Sequence, residues 1–130
     1  MQIVMFGTHA DMLPGVLEHS MHALDFQPNM TQGDIILIAR TMPLPRGQLQ
    51  IQHRMAYLRS RVDRDGDTDR IWGRHWTYII EGNDLRRLRN PFNIGDVHGL
   101  IGNYAQGDPI VYVPPPDQEV LRRGGYLDQI

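Results

Sequence analysis

The hydrophobic residues of the chain form runs and alternations that predict five strands. Uninterrupted apolar runs at 2–6 and 35–39 predict buried strands, and the second of these, Ile35-Ile36-Leu37-Ile38-Ala39, is the clearer. Apolar and polar residues alternate loosely over 50–62, which predicts a strand with two different faces. The runs 71–80 and 107–113 predict two further strands.

Helical spacing is confined to shorter stretches. Apolar residues recur at near-helical intervals over 10–24, with Pro14 close enough to the start to be tolerated. The segment 84–89 predicts a short helix. Residues 118–123 predict a terminal helical turn that Gly124-Gly125 closes.

An aspartate-rich segment, 63–69, separates two of the predicted strands. An Asp-Gly pair between strand-like runs is typical of a long antiparallel hairpin, so this segment is predicted to be an exposed turn. Its alternating aspartates also resemble a calcium loop. Placing Gly66 sixth, however, puts Arg61 first and Trp72 twelfth, and neither residue fits an EF-hand.

These elements predict one α+β domain over 1–130. The expected architecture is a small, mostly antiparallel curled sheet or partly open β-barrel with flanking short helices. A length of 130 residues and a hydrophobic fraction of 41% fit one globular domain. The loop over 43–47 and the turn over 27–33 connect predicted elements.

Composition excludes several classes of protein. The chain has no cysteine, which excludes a disulfide scaffold, a thiolate zinc site and a cysteine nucleophile. No apolar run approaches the roughly 20 residues of a membrane helix, and the first residues lack the features of a secretory signal. We therefore expect a cytoplasmic protein that neither spans a membrane nor uses a metal or another cofactor.

All 13 basic residues are arginine, and the net charge is −2. This charge argues against a protein that coats nucleic acid broadly. Nine of the arginines lie in one stretch, at positions 54, 59, 61, 64, 70, 74, 86, 87 and 89. Codon bias is one interpretation of the missing lysines, and the suitability of arginine for bidentate recognition of phosphates and bases is the other. The clustering is compatible with an anionic ligand bound on one face. A solvated sheet face is the alternative interpretation.

The predicted strand 71–80 has the richest recognition chemistry. In a strand, Trp72, Arg74, Trp76 and Tyr78 would project to one face. Such a face can stack planar bases and pair with phosphate. It can equally be an aromatic core strand whose arginine extends outward.

Histidines provide two further candidate sites. His19 and His22 are three residues apart on the predicted first helix, so they could share a metal, but no third ligand stands at a telling spacing. We therefore predict no metal site. His9 directly follows the first predicted strand, where a turn often presents ligand contacts, and it is a candidate for ligand binding.

Catalytic motifs of common enzyme classes are absent. The chain contains no GxSxG, phosphate-binding P-loop, GxGxxG or HExxH sequence. Its carboxylates cluster in the predicted turn, so nothing supports a glycosidase pair.

The sequence Gly33-Asp34 entering Ile35-Ile36-Leu37-Ile38 resembles a signature of the PUA-like superfamily, which includes the EVE, ASCH and YTH-like domains. The order of the other elements is similar over residues 1–113. The resemblance implies a small β-barrel with flanking helices. It also implies a base-binding pocket of the kind found in EVE-like and YTH-like members, which would be lined here by Trp72, Trp76 or Tyr78. No aromatic-cage motif aligns residue by residue.

Two interpretations of function follow. The first is a non-catalytic module that binds nucleic acid or a nucleotide and recognises a modified or flipped base. Its predicted ligand-binding residues are Trp72, Arg74, Trp76, Tyr78, Arg54 and His9. The second is a small enzyme acting on a nucleotide or a nucleotide-linked substrate, with His9, His53 and His75 as candidate acids or bases. A domain that binds another protein through its aromatic face is a third.

Overall fold

A computed structural model describes residues 1–41, 49–104 and 108–127, and within them the chain forms one six-stranded curled sheet with three short helices. The predicted loop at 43–47 and the first residue of the predicted strand 107–113 lie outside these ranges. In chain order the elements are β1 (Ile3–Thr8), α1 (Leu13–His19), β2 (Met21–Leu24), β3 (Ile35–Arg40), β4 (Gln50–Val62), α2 (Asp67–Trp72), β5 (Tyr78–Asn93), a 3-10 turn (Ile94–Asp96), β6 (Ile110–Tyr112) and α3 (Pro115–Arg123).

The sheet has the strand order β2-β5-β4-β3-β1-β6. Strand β1 pairs in parallel with β3, and every other pairing is antiparallel. The predicted α+β class, with a mostly antiparallel curled sheet and flanking short helices, is thus confirmed. The predicted strands over 35–39 and 50–62 are also confirmed, the second with the same bounds as β4.

Two apolar cores lie on opposite faces of the sheet. On the α3 face, Ile35 and Leu37 of β3 pack with Leu121 of α3. On the α1 face, Ile36 and Ile38 of the same strand pack with Val16 of α1. Because both faces of β1 and β3 are covered, the sequences of these two strands are mainly continuous apolar runs instead of alternating ones.

The predicted helix over 10–24 is wrong in its second half. Helix α1 ends at His19, and Ser20 takes a left-handed conformation with φ 54°. Residues Met21–Leu24 then form β2, which pairs with β5. The apolar residues at 21 and 24 therefore belong to a strand, although their spacing from the helix suggested one continuous apolar face.

Two neighbouring predictions are partly wrong. The first part of the predicted strand 71–80 is not a strand, and the last residues of the predicted turn 63–69 are helical. Helix α2 covers Asp67–Trp72, between Gly66 and Gly73, which both have positive φ (75° and 72°). Strand β5 begins only at Tyr78. Trp72, Arg74, Trp76 and Tyr78 consequently do not share a strand face.

The predicted helix over 84–89 is also wrong, because these residues belong to β5 and pair with β4. By contrast, the antiparallel pairing of β4 with β5 and the terminal helix ending before Gly124 are confirmed. No helix in the described part of the chain is long and apolar enough to cross a membrane.

Candidate functional site

A cavity of about 380 Å³ lies at the carboxyl end of β1, and we call it the aromatic cavity. Three parts of the chain supply most of its side chains: His9 after β1, His22 and Phe26 in and after β2, and Arg74 and Trp76 in the connection between α2 and β5. Thr41 after β3, and Asp108 and Pro109 before β6, also line it. The sheet brings β1 to one side of the cavity, while the pairing of β2 with β5 brings the other segments together.

The wall of the cavity combines an indole ring with a guanidinium group. The Cζ atom of Arg74 lies 4.2 Å from the centroid of the Trp76 ring, which is a cation–π contact. An ion pair from Arg74 Nη2 to Asp25 Oδ2 (3.1 Å) keeps the guanidinium in place. Behind this pair, Trp72 meets Trp76 edge-on, with ring centroids 6.0 Å apart. The wall therefore offers a flat π surface and a guanidinium group, while Asp25 and Asp108 also line the cavity.

A buried carboxylate fixes the position of Trp76. Asp63 accepts hydrogen bonds from the backbone N–H groups of Asp67 (3.0 Å) and Thr68 (3.0 Å) and from the Thr68 hydroxyl (2.5 Å). Thr68 Oγ1 in turn accepts a hydrogen bond from the backbone N–H of Trp76 at 3.0 Å. The aspartate-rich segment thus caps α2 and holds the cavity wall.

Burial of Asp63 by itself raises the pKa of its carboxyl group. The three hydrogen bonds from Thr68 and Asp67 outweigh this effect together, so the pKa of Asp63 lies below its ordinary value. The carboxylate remains ionised near neutral pH, in the state that all three donors require.

The floor of the cavity includes a neutral histidine. His22 Nε2 lies 3.0 Å from Thr8 Oγ1, whose hydroxyl donates to the Phe6 carbonyl at 2.9 Å. Since this hydroxyl has only one proton, His22 Nε2 must donate to it. Burial lowers the pKa of His22 to about 4. The floor is therefore polar but uncharged near neutral pH.

The predicted ligand-binding residues fall into three groups. His9, Arg74 and Trp76 line the aromatic cavity, as described. Trp72 donates its indole N–H to the Met12 carbonyl (3.0 Å), and Tyr78 pairs with Leu24 at the start of β5, so both support the cavity from behind. Arg54 is remote, because its Nη1 donates to the Leu127 carbonyl (2.6 Å) beside the core of the α3 face.

The candidate catalytic histidines do not line the cavity together. Only His9 borders it. His75 is exposed and lies 3.7 Å from Asp63 and 3.9 Å from Asp69. His53 lies in β4, where burial and, next, the charge of Arg87 lower its pKa.

A shared metal site for His19 and His22 is excluded by their positions. His22 is buried in β2, whereas His19 ends α1 and lies 3.8 Å from Glu18. Across residues 1–41, 49–104 and 108–127, no group of three or more histidine or carboxylate side chains could hold a metal ion.

The sequence did not predict that Phe26 and Asp25 line the cavity. It also did not predict that Asp63, through Thr68, holds the cavity wall. Phe26 and Asp25 follow β2, which was predicted as helix, so nothing placed them near Trp76. A signal for α2 was present, since Gly66 and Gly73 bracket a stretch that starts with acidic residues.

Comparisons with known proteins identify the fold. No protein-family description matches the sequence, and no curated protein matches it either. Among solved structures, the chain is similar to two single-residue variants of the ZmASCH protein of Zymomonas mobilis. Both are 9% identical in sequence. The first match covers 95% of this chain and 98% of the other with a TM-score of 0.69, and the second covers 94% and 95% with a TM-score of 0.68. The PUA-like resemblance is thus confirmed for the fold: this chain folds like an ASCH protein.

Proposed function

We propose that this protein binds a nucleotide, or one base of a nucleic acid chain, in the aromatic cavity. The observation that supports this best is the pairing of Trp76 with Arg74 at the wall of a cavity of about 380 Å³. A base can stack on the indole ring, and the neighbouring guanidinium can pair with phosphate or extend the stack.

The size of the cavity favours a single nucleotide over a longer segment. Small-molecule pockets span roughly 300–1,000 Å³, and this cavity is near the lower limit. A base would have to leave its helical stack to enter, which suits recognition of a flipped base. The resemblance to EVE-like and YTH-like domains, whose pockets hold modified bases, supports the same conclusion.

The charge distribution favours recognition of a base over attraction to a polyanion. The net charge is −2, and Arg74, the arginine at the cavity wall, already pairs with Asp25. For single strands the logarithm of affinity falls with the logarithm of salt with a slope of about −0.7 per neutralised phosphate. We expect a slope between about −0.7 and −1.4, which corresponds to one or two phosphates.

The test is a calorimetric titration with nucleoside monophosphates and with short single-stranded RNA, with and without a modified base. Trp76→Ala is expected to weaken binding by about 10- to 100-fold, because stacking on an aromatic ring contributes about 1–3 kcal/mol per base. Tyr126→Ala is the matched control, since Tyr126 packs against Phe92 on the α3 face. It should leave the affinity unchanged.

Two results would contradict the proposal. One is the absence of binding at low salt for every ligand tried. The other is undiminished binding by a folded Trp76→Ala variant. Product formation during the titration, lost in His9→Ala, would instead favour the enzymatic interpretation, since His9 is the candidate catalytic histidine that borders the cavity.

A further inference from the structure

Four polar side chains form a row across the sheet, and we call them the polar row. Thr8 of β1 pairs with Arg40 of β3, Arg40 pairs with Gln50 of β4, and Gln50 pairs with Asn93 of β5. Side chains alternate between the faces of a strand, and the next residue along β3, Ala39, belongs to the α3 face. The polar row therefore lies on the α1 face, at the carboxyl end of β1 and β3.

Two more nitrogen-bearing side chains lie next to the polar row on the same face. His53 of β4 pairs with Ile38 of β3, which belongs to the α1 face, and on its other side His53 pairs with Arg87 of β5. Side chains directly opposite in a sheet have Cβ atoms about 5 Å apart. We call Arg40, His53 and Arg87 the basic patch.

In the part of the chain that the structure describes, no carboxylate lies within ion-pair distance of the two arginines of the basic patch. Within the described ranges, Arg40 and Arg87 form no ion pair. Arg40 Nε and Asn93 Oδ1 are in addition buried without a hydrogen-bond partner. An unpaired buried polar group is costly, and a protein that keeps one donor and one acceptor in this state along one row of side chains needs a reason.

The polar row begins at the floor of the aromatic cavity. Thr8 shares its hydroxyl with His22, and His22 lines the cavity. Thr41, which directly follows Arg40, lines the cavity as well. A ligand in the cavity is therefore close to Arg40 if it extends along the sheet from β1 towards β4.

We propose that the basic patch is a phosphate-binding subsite, which holds the phosphate of a ligand whose base occupies the aromatic cavity. A guanidinium group donates two parallel hydrogen bonds to phosphate oxygens, and Arg40 has a buried Nε–H without a partner. A hydroxyl of the ligand can donate to Asn93 Oδ1. This proposal rests on the proposed function in one respect: the phosphate is taken to belong to a ligand whose base lies in the aromatic cavity.

His53 provides a direct probe of this subsite. Its pKa is lowered from 6.5 by burial and by the charge of Arg87, and a bound dianion at the basic patch would offset the second effect. The test is therefore an NMR titration of the His53 ring in inorganic phosphate and, for comparison, in acetate at equal ionic strength. The pKa of His53 should rise towards 6.5 in phosphate and remain lowered in acetate.

Variants of single arginines show which of them bind the phosphate that raises the pKa of His53. Arg40→Gln and Arg87→Gln should each abolish the phosphate-induced rise in the pKa of His53 and weaken phosphate binding at least tenfold. Arg64→Gln is the matched control, since Arg64 is exposed in the connection after β4, at the other end of that strand. It should behave like the unchanged protein.

Adenosine and adenosine monophosphate separate this proposal from the proposed function. Tighter binding of the monophosphate, lost in Arg40→Gln, supports both. Equal affinity for adenosine and the monophosphate overturns the subsite and leaves base recognition intact. Phosphate binding at the patch without affinity for adenosine supports the subsite and contradicts base recognition. An unchanged His53 pKa in phosphate, or an equal rise in acetate or in Arg40→Gln, also overturns the subsite.

Discussion

Arginine side chains at the two ends of β4 have opposite electrostatic surroundings. Near Val62, Arg61 donates to Glu81 (2.7 Å) and Asp67 (3.0 Å), and Arg59 pairs with the same glutamate (3.2 Å). Near Gln50, the arginines of the basic patch form no ion pair within the described ranges. We call these regions the paired end and the unpaired end.

This difference shows how to interpret the clustered arginines of the sequence. At the paired end, arginine neighbours hold the pKa of Asp67 below its ordinary value, because Arg61 and then Arg70 donate hydrogen bonds to its carboxylate. Such charges serve the fold. At the unpaired end the Nε–H of Arg40 is buried without an acceptor, and such a group is expected to cost stability. The partners of each arginine, and not the number of arginines, therefore show which of them the fold itself satisfies.

The strongest test of the paired end is removal of Asp63, which lies just after Val62. Asp63→Ala leaves two buried donors of Thr68 and the half-buried N–H of Asp67 without an acceptor, and removes the cap of α2. We expect the free energy of unfolding to fall by about 3 kcal/mol, as measured by urea denaturation. Asp65→Ala, an exposed aspartate of the same segment, should change it little. Equal losses for the two variants would show that the buried network does not stabilise α2.

A titration of stability against pH tests whether the fold requires a neutral His22. This histidine contacts Thr8, the neighbour of Arg40 at the unpaired end. Unfolded His22 titrates near 6.5, and the folded protein lowers this pKa to about 4. Between these values the unfolded chain binds more protons, so stability is complete above the unfolded pKa and falls as the pH decreases. Between about pH 7 and pH 5 this loss should be about 2 kcal/mol.

The control for this titration is His22→Gln, which keeps a polar side chain but cannot titrate. Its free energy of unfolding should vary much less over the same interval. The carboxylates with lowered pKa values, such as Asp34 and Asp117, lose their contribution at lower pH. An equally steep pH dependence in His22→Gln would assign the effect to other groups.

Replacing an arginine by methionine should change the free energy of unfolding in opposite directions at the two ends. Arg40→Met removes an unsatisfied buried donor and is expected to raise the free energy of unfolding by about 1 kcal/mol. Arg61→Met breaks two ion pairs on a side chain that is 35% exposed, and should lower it by about 1 kcal/mol after screening by solvent. Urea denaturation measures both. The same sign for both variants would remove the distinction between the two ends.

The sequence predicts the strands that are apolar on both faces or that alternate in a simple way. Strands β3 and β4 are of this kind, because their patterns follow directly from burial. The failures have a common cause, which is pairing with distant residues. Met21–Leu24 and 84–89 were predicted as helix, but β5 binds both β2 and β4. Local propensity does not contain this information.

The sequence predicted which kinds of side chain form the candidate site, but it did not predict how they are arranged. Trp76 and Arg74 were expected to meet on a strand face, whereas they meet as neighbours on the connection after α2. Arg40, Gln50 and Asn93 could not be found from the sequence, because their proximity depends on the register of three strands. The bulges in the β4–β5 ladder set that register, and no sequence pattern shows them.

The position of β1 in the sheet has a consequence for the chain during its synthesis. Along the chain this strand precedes the other strands of the sheet, yet it lies between β3 and β6, and β6 comes only at Ile110–Tyr112. Until that segment emerges from the ribosome, one edge of this largely apolar strand has no partner, and an unpaired strand edge promotes aggregation. Although β1 precedes the other strands, its pairing is therefore complete only when β6, the last strand of the sheet, has been synthesised.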